Sequence, residues 1–169
     1  MIETASQQLE PAALAVPSQA LGTIEIPAEQ TIRMSEPLAG FPDCTSYALL
    51  DHVREDGEPS GSVYWLQSVE KPFQAFVVTD PWSVMPDYAP EISDADAAQL
   101  ELRSFEDARV FAILTVPSDT ALATINLRAP IIVNTARCVA KQAVLLNDEY
   151  HTRHRLSDPA TSADAPPLP

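Results

Sequence analysis

His52, His151 and His154, together with scattered serines and carboxylates, are the side chains from which an active site would have to be assembled. The spacing in His151-Thr152-Arg153-His154 suits a metal ion, but no cysteine or clear third ligand stands near it. Arg153 and Arg155 beside it would repel a cation, so the segment reads as a polar stretch docked on the fold. Ser60 and Ser62 flank Gly61, yet no G-x-S-x-G elbow occurs, and the usual setting of a hydrolase serine is missing. Neither G-x-G-x-x-G nor G-x-x-x-x-G-K-[ST] is present, which argues against nucleotide binding by either loop. The 24 acidic residues allow many carboxylate pairs. Without a pocket, each pair is a solvated charge before it is an acid–base dyad. No catalytic residue, metal ligand or cofactor is assigned, and the expectation is a protein that is not an enzyme.

Two features point to recognition instead. The run Thr79 to Glu91 packs three prolines, Trp82, Tyr88 and Met85 into an irregular, stiff loop. Rigid aromatics lose little entropy on binding and are favoured at interfaces. Two readings of Trp82 and Tyr88 stand: interface anchors, or plugs for the mouth of the fold. From Asp87 to Asp107 the chain then carries Asp87, Glu91, Asp94, Asp96, Glu101, Glu106 and Asp107 against Arg103 alone. Over the whole chain, 10 basic residues face those 24 acidic ones, for a net charge of −14. Phosphates demand clustered lysine and arginine, so a direct nucleic-acid binder is not expected. A basic protein is the natural electrostatic counterpart. The candidate partner-binding residues are Asp80, Trp82, Asp87, Tyr88, Glu91, Asp94, Asp96 and Glu101, with Asn134 and Arg137 from a nearby turn.

The elements that must carry these residues are short β-type runs closed by prolines or polar turns. Gly22 to Ile26 alternates with period two, and Ser46 to Asp51, Val63 to Gln67 and Ala75 to Thr79 follow. Arg109 to Val116 is the most apolar stretch and reads as a central strand. Pro130 to Val133 and Cys138 to Leu146 complete the set, joined by the hairpin turn Asn134-Thr135-Ala136-Arg137. One helix is predicted over Ala97 to Leu102, opened by Ser93-Asp94-Ala95-Asp96 as an approximate capping box. The fold class is mainly all-β: a small antiparallel β-barrel-like domain with one short helix. Residues 22–156 are expected to be that domain, 1–21 a flexible extension and 157–169 a disordered Pro-rich tail. Cys44 and Cys138 read as buried thiols of a reducing compartment. No basic residue precedes Arg33 and no run approaches the ~20 apolar residues of a membrane span, so a cytoplasmic protein without membrane contact is expected.

Three blocks carry a family resemblance. They are Trp65-Leu66-Gln67-Ser68 leading to Ala75 through Pro81, then Pro86 to Asp94, then Asn126 to Asn134 with Lys141-Gln142 and Tyr150 to His154. Together, and in order, they resemble the flagellar assembly factor FliW family over about 22–156. That resemblance implies a small β-barrel-like fold without enzymatic activity. It also implies binding to flagellin in the cytoplasm and to CsrA, a basic RNA-binding dimer that represses flagellin mRNA translation. FliW freed by flagellin secretion captures CsrA and lifts the block, a partner switch. Two alternatives are a flagellin secretion chaperone that does not bind CsrA and an enzyme using carboxylates in the barrel mouth.

Overall fold

The strands are short runs, several of them ended by proline or polar turns. The computed structural model describes residues 13–157, apart from Ala20, Ala28 and Glu29. Along them run β1 (Ala13–Ser18), β2 (Gly22–Pro27), β3 (Thr31–Met34), β4 (Ser46–Val53), β5 (Pro59–Ser68) and β6 (Ala75–Thr79). A helix, α1 (Asp94–Gln99), precedes β7 (Ala108–Thr115), β8 (Thr124–Ile125), β9 (Ile131–Asn134), β10 (Val139–Gln142) and β11 (His154–Arg155). The described residues are mostly β with a single short α-helix, as the pattern of runs predicts.

Seven strands close into a barrel in the order β7, β6, β5, β4, β3, β10, β9, with β9 returning to β7. β8 and β11 extend the sheet beyond β7. All pairings in the ring are antiparallel except β3 with β10, where Val139 lies opposite Arg33. An odd number of strands cannot alternate direction all the way round. One parallel seam is therefore required in this otherwise antiparallel barrel, which has the fold class expected.

Ile32, Met34, Tyr47, Leu66, Val78, Phe111, Ile131 and Val133 fill the barrel. Val110, Ala112 and Leu114 turn to the other side of β7, where Val84, Tyr88, Leu100 and Tyr150 from the surrounding loops cover them. A strand buried on both faces needs apolar residues throughout, which explains why 109–116 shows no alternation. Val16 and Ile26 from the β1–β2 hairpin close over Ala48, Leu50 and Val69.

Several expectations shift. Within the stretch assigned to the extension 1–21, β1 pairs with β2 over its whole length and buries Val16. Residues 1–12 and 158–169 lie outside the described residues, so the expectations for them are not tested. The strand expected over 138–146 ends at Gln142. Beyond it the chain is irregular, with a bend at Leu146, and is held by Ala143 N–H to the Pro130 carbonyl and Leu145 N–H to the Arg128 carbonyl. Cys44 is buried, but Cys138 is only half-buried and sits at φ 52°, at the end of the β9–β10 turn. No helix among the described residues is long and apolar enough to cross a membrane.

Candidate functional site

The loop between β6 and β7 is fixed by its own polar groups. Asp80 caps a one-turn 3-10 helix (Pro81–Ser83), its carboxylate accepting from Trp82 N–H at 2.9 Å. Pro81 supplies a preset φ at the first position of that turn. The Trp82 indole N–H donates to the Tyr88 carbonyl at 2.7 Å, bridging the two ends of the proline-rich run. Trp82 meets Tyr88 edge-on at 5.8 Å and Phe105 edge-on at 6.4 Å, and is half-buried. It therefore packs and also stays partly accessible to solvent.

Tyr88 behaves differently. Its ring is buried against Tyr150 at 4.7 Å, and its hydroxyl donates to the Leu127 carbonyl at 2.8 Å. Burial pushes its phenol well above the ordinary tyrosine value, with Tyr150 adding to the rise. Of the two readings open for Tyr88, packing is the one its position fits. The Tyr150 hydroxyl accepts from Ala89 N–H, and Glu91 exchanges backbone contacts with the chain beyond β10. Glu91 N–H donates to Asn147 Oδ1 at 2.7 Å and the Glu91 carbonyl accepts from Leu146 N–H at 2.8 Å.

Ser93 is the N-cap of α1. Its hydroxyl accepts from Asp96 N–H and donates to Asp96 Oδ2, as the Ser-x-x-Asp spacing predicts. The helix is only six residues long and buries none of them, so tertiary contacts must hold it. At its start, Asp96 Oδ1 lies 2.9 Å from Lys141 Nζ, which also reaches Glu36 at 3.0 Å and Gln99 at 2.6 Å. Burial alone would raise the Asp96 carboxyl, but the hydrogen bonds from Lys141 and Ser93 outweigh it and hold the group below the usual carboxylate range. The Asp96 hydrogen bond pushes the Lys141 amine up, against a smaller opposing effect of burial.

At the far end of α1, Leu100 is completely buried and Asn134 donates to the Leu100 and Glu101 carbonyls at 2.9 and 3.3 Å. The Asn134 side-chain oxygen accepts from Ala136 and Arg137 N–H, shaping the β9–β10 turn. Asn134 is itself buried. Arg137 and Glu101 are exposed and pair at 3.3 Å on the rim of a polar depression of about 330 Å³. Arg103 and Asp107 complete its walls.

The ten residues singled out in sequence thus divide by position. Asp87, Glu91, Asp94, Glu101 and Arg137 are exposed, and Asp80, Trp82 and Asp96 are half-buried. Tyr88 and Asn134 are interior and support the surface from beneath. Lys141 and Glu36, which anchor α1, were not among them; no local pattern connects either to a helix so distant in the chain. His151 and His154 stack at 5.3 Å, with His151 N–H donating to His154 Nε2 at 2.8 Å. No group of three or more His, Cys, Asp or Glu among the described residues is placed to hold a metal ion. What the surface offers is fixed negative charge on a stiffened loop.

Comparison with known proteins matches residues 15–156 to the family model described as FliW protein. A flagellar assembly factor FliW of Alkaliphilus metalliredigens is 38% identical over 133 residues, covering 79% of this chain and 80% of that protein. That of Natranaerobius thermophilus is 37% identical over 150 residues, covering 88% and 96%. A solved structure, the crystal structure of the flagellar assembly factor FliW, superposes with a TM-score of 0.75 at 31% identity. It covers 84% of this chain and 96% of its own.

Proposed function

The chain belongs to the FliW family of flagellar assembly factors, and we propose that it works there by switching between two protein partners. In this reading it captures CsrA in the cytoplasm and so relieves repression of flagellin mRNA translation. Flagellin is the second partner, and its secretion frees the protein to take CsrA. No catalytic step is involved.

The observation that carries the reading is the set of exposed carboxylates at Asp87, Glu91, Asp94, Glu101, Glu106 and Asp107, on a loop stiffened by prolines and capped turns. A protein that holds RNA must present positive charge, so this face attracts it and repels the RNA. Fixing the loop beforehand lowers the entropy lost on docking. Trp82 adds an aromatic ring beside the charges, the kind of group that anchors an interface.

The test is a pull-down from cell extract with the full chain as bait, followed by a gel-shift with purified components. Retention of both CsrA and flagellin is expected, together with release of flagellin leader RNA from CsrA when the chain is added. Added flagellin should restore the CsrA–RNA complex. A chain that retains flagellin but leaves the CsrA–RNA complex intact would reduce the function to that of a secretion chaperone.

A further inference from the structure

Past β10 the chain alternates strictly in exposure: Ala143 0%, Val144 61%, Leu145 2%, Leu146 61% and Asn147 9%. That is the pattern of a strand lying on a core, except that its outward side chains are apolar. Val144 also borders a depression of about 290 Å³ lined by Pro37, Ala39, Ala129 and Gln142. A single exposed aliphatic residue is ordinary. Two bulky ones on one face of one segment, with a concave neighbour to receive a third side chain, are an anchor set. We propose that segment 143–147 and this groove dock a cationic amphipathic helix of a partner protein.

The segment's hydrogen bonding selects the shape of the occupant. The amides of Ala143, Leu145 and Leu146 are bonded to the Pro130, Arg128 and Glu91 carbonyls at 3.0, 3.0 and 2.8 Å. The ladder needed to add a partner strand is therefore largely taken. A helix brings a satisfied backbone and presents only side chains. Residues two apart in an extended chain lie roughly 6.6 Å apart. Positions i and i+4 of a helix rise by about 6 Å, so one helical apolar stripe can meet both Val144 and Leu146.

Charge selects its chemistry. Leu146 is bonded to the Glu91 backbone and followed by Asp148, whose side chain is 97% exposed, and by Glu149. Among the described residues no ion pair engages Glu91 or Glu149. Lys141 and Arg128 are already paired, with Glu36 and Asp96 and with Asp148. The uncompensated carboxylates and the net charge of −14 favour lysine or arginine flanking the apolar stripe. A second copy of this chain would bring the same negative charge and is disfavoured. The proposal does not depend on which proteins the β6–β7 loop binds.

The probe is a labelled helical peptide of leucine and lysine, roughly 18 residues long, with leucine at i, i+3, i+4 and i+7. Fluorescence anisotropy with the full chain should show it binding at least ~10-fold more tightly than a peptide of the same composition without an apolar face. Val144→Ser with Leu146→Ser leaves the charge unchanged and touches exposed positions, so the fold should persist; it should weaken binding at least ~10-fold. Phe73→Ser, which removes a side chain 79% exposed at the β5–β6 turn, should leave binding unchanged. Equal binding of the patternless peptide, or of the Val144/Leu146 variant, would overturn the proposal. An equal loss in the Phe73 variant would do the same, as would a wild-type dimer in sedimentation that the double substitution dissolves.

Discussion

Asn134 donates its side-chain amide to the Leu100 carbonyl at 2.9 Å, so the β9–β10 turn fastens the end of α1 from below. The same side chain shapes its own turn through Ala136 and Arg137. One buried amide therefore joins the acidic helix to the barrel. An asparagine in a tight turn ordinarily signals only local geometry.

Asn134→Ala should cost about 2–3 kcal/mol of stability in a urea melt, because it leaves buried carbonyls and turn amides without partners. Amide exchange should then quicken across residues 94–101 more than in β4 and β5. Uniform quickening would show that Asn134 supports the whole barrel and not specifically α1.

The Asp96–Lys141 pair gives the clamp at the other end a pH signature. Asp96 titrates below its ordinary value in the folded chain, so its contribution is whole above the usual carboxylate range and is lost as pH falls through the folded value. Lys141 is shifted upward, so its contribution is whole below the ordinary lysine value and is lost as pH rises through the folded one. Thermal melts should therefore show a stability plateau for this pair between roughly pH 5 and 10. Asp96→Asn should lower the plateau and flatten the acid limb. A variant with the wild-type acid limb would mean that other carboxylates govern it.

The strands legible in sequence are the apolar runs bounded by proline or polar turns. Ala75 to Thr79 and Arg109 to Val116 coincide with β6 and β7 to within about a residue. β3 escaped because Thr31-Ile32-Arg33-Met34 is too short to establish a period, although it forms the parallel seam. β1 is hidden by Pro17, a residue disfavoured inside strands. The Ser93 cap was legible because its partners are three residues apart. Lys141 was not, since its contacts depend on ring closure. Val144 and Leu146 read as part of the strand expected over 138–146, and nothing local reveals their exposure.

The β1–β2 hairpin makes the boundary of the folding unit testable. A fragment of residues 13–157 should melt with the full chain, whereas one of residues 22–156 should lose stability. Val16 is 2% exposed and covers Ile26 and Ala48. Removing it forfeits about 1.5–3 kcal/mol of burial and uncovers its neighbours. Equal melting temperatures for the two fragments would show that β1 contributes nothing to stability.

Trp82 separates packing from recognition. Trp82→Phe keeps an aromatic ring but removes the donor to the Tyr88 carbonyl, and should cost about 1 kcal/mol. Trp82→Ala also loses the edge contacts with Tyr88 and Phe105 and should cost about 2–3 kcal/mol. Binding of CsrA measured far below the denaturation midpoint then isolates the accessible part of the ring. A loss of ~10-fold or more in the folded alanine variant is expected of an interface anchor. Unchanged affinity would leave Trp82 a purely structural residue.

The acidic face should govern association rate and its salt dependence. Asp87, Glu91 and Asp94 are exposed and, among the described residues, in no ion pair. Asp96 is left untouched because it holds Lys141, and Glu101 because it pairs with Arg137 at a positive φ of 53°. Reversing the three free carboxylates to lysine changes the local charge by about six units without breaking a clamp, although Asp94 gives up a favourable place in the first turn of α1. Exposed charges are screened beyond ~8 Å at physiological ionic strength, so the effect belongs mainly to diffusional encounter. Stopped-flow mixing with CsrA at low salt should show the triple variant associating at least ~10-fold more slowly than wild type. The gap should narrow as salt is raised, while dissociation changes less. A folded triple variant that associates as fast as wild type at low salt would assign these carboxylates to solubility and not to recognition of CsrA.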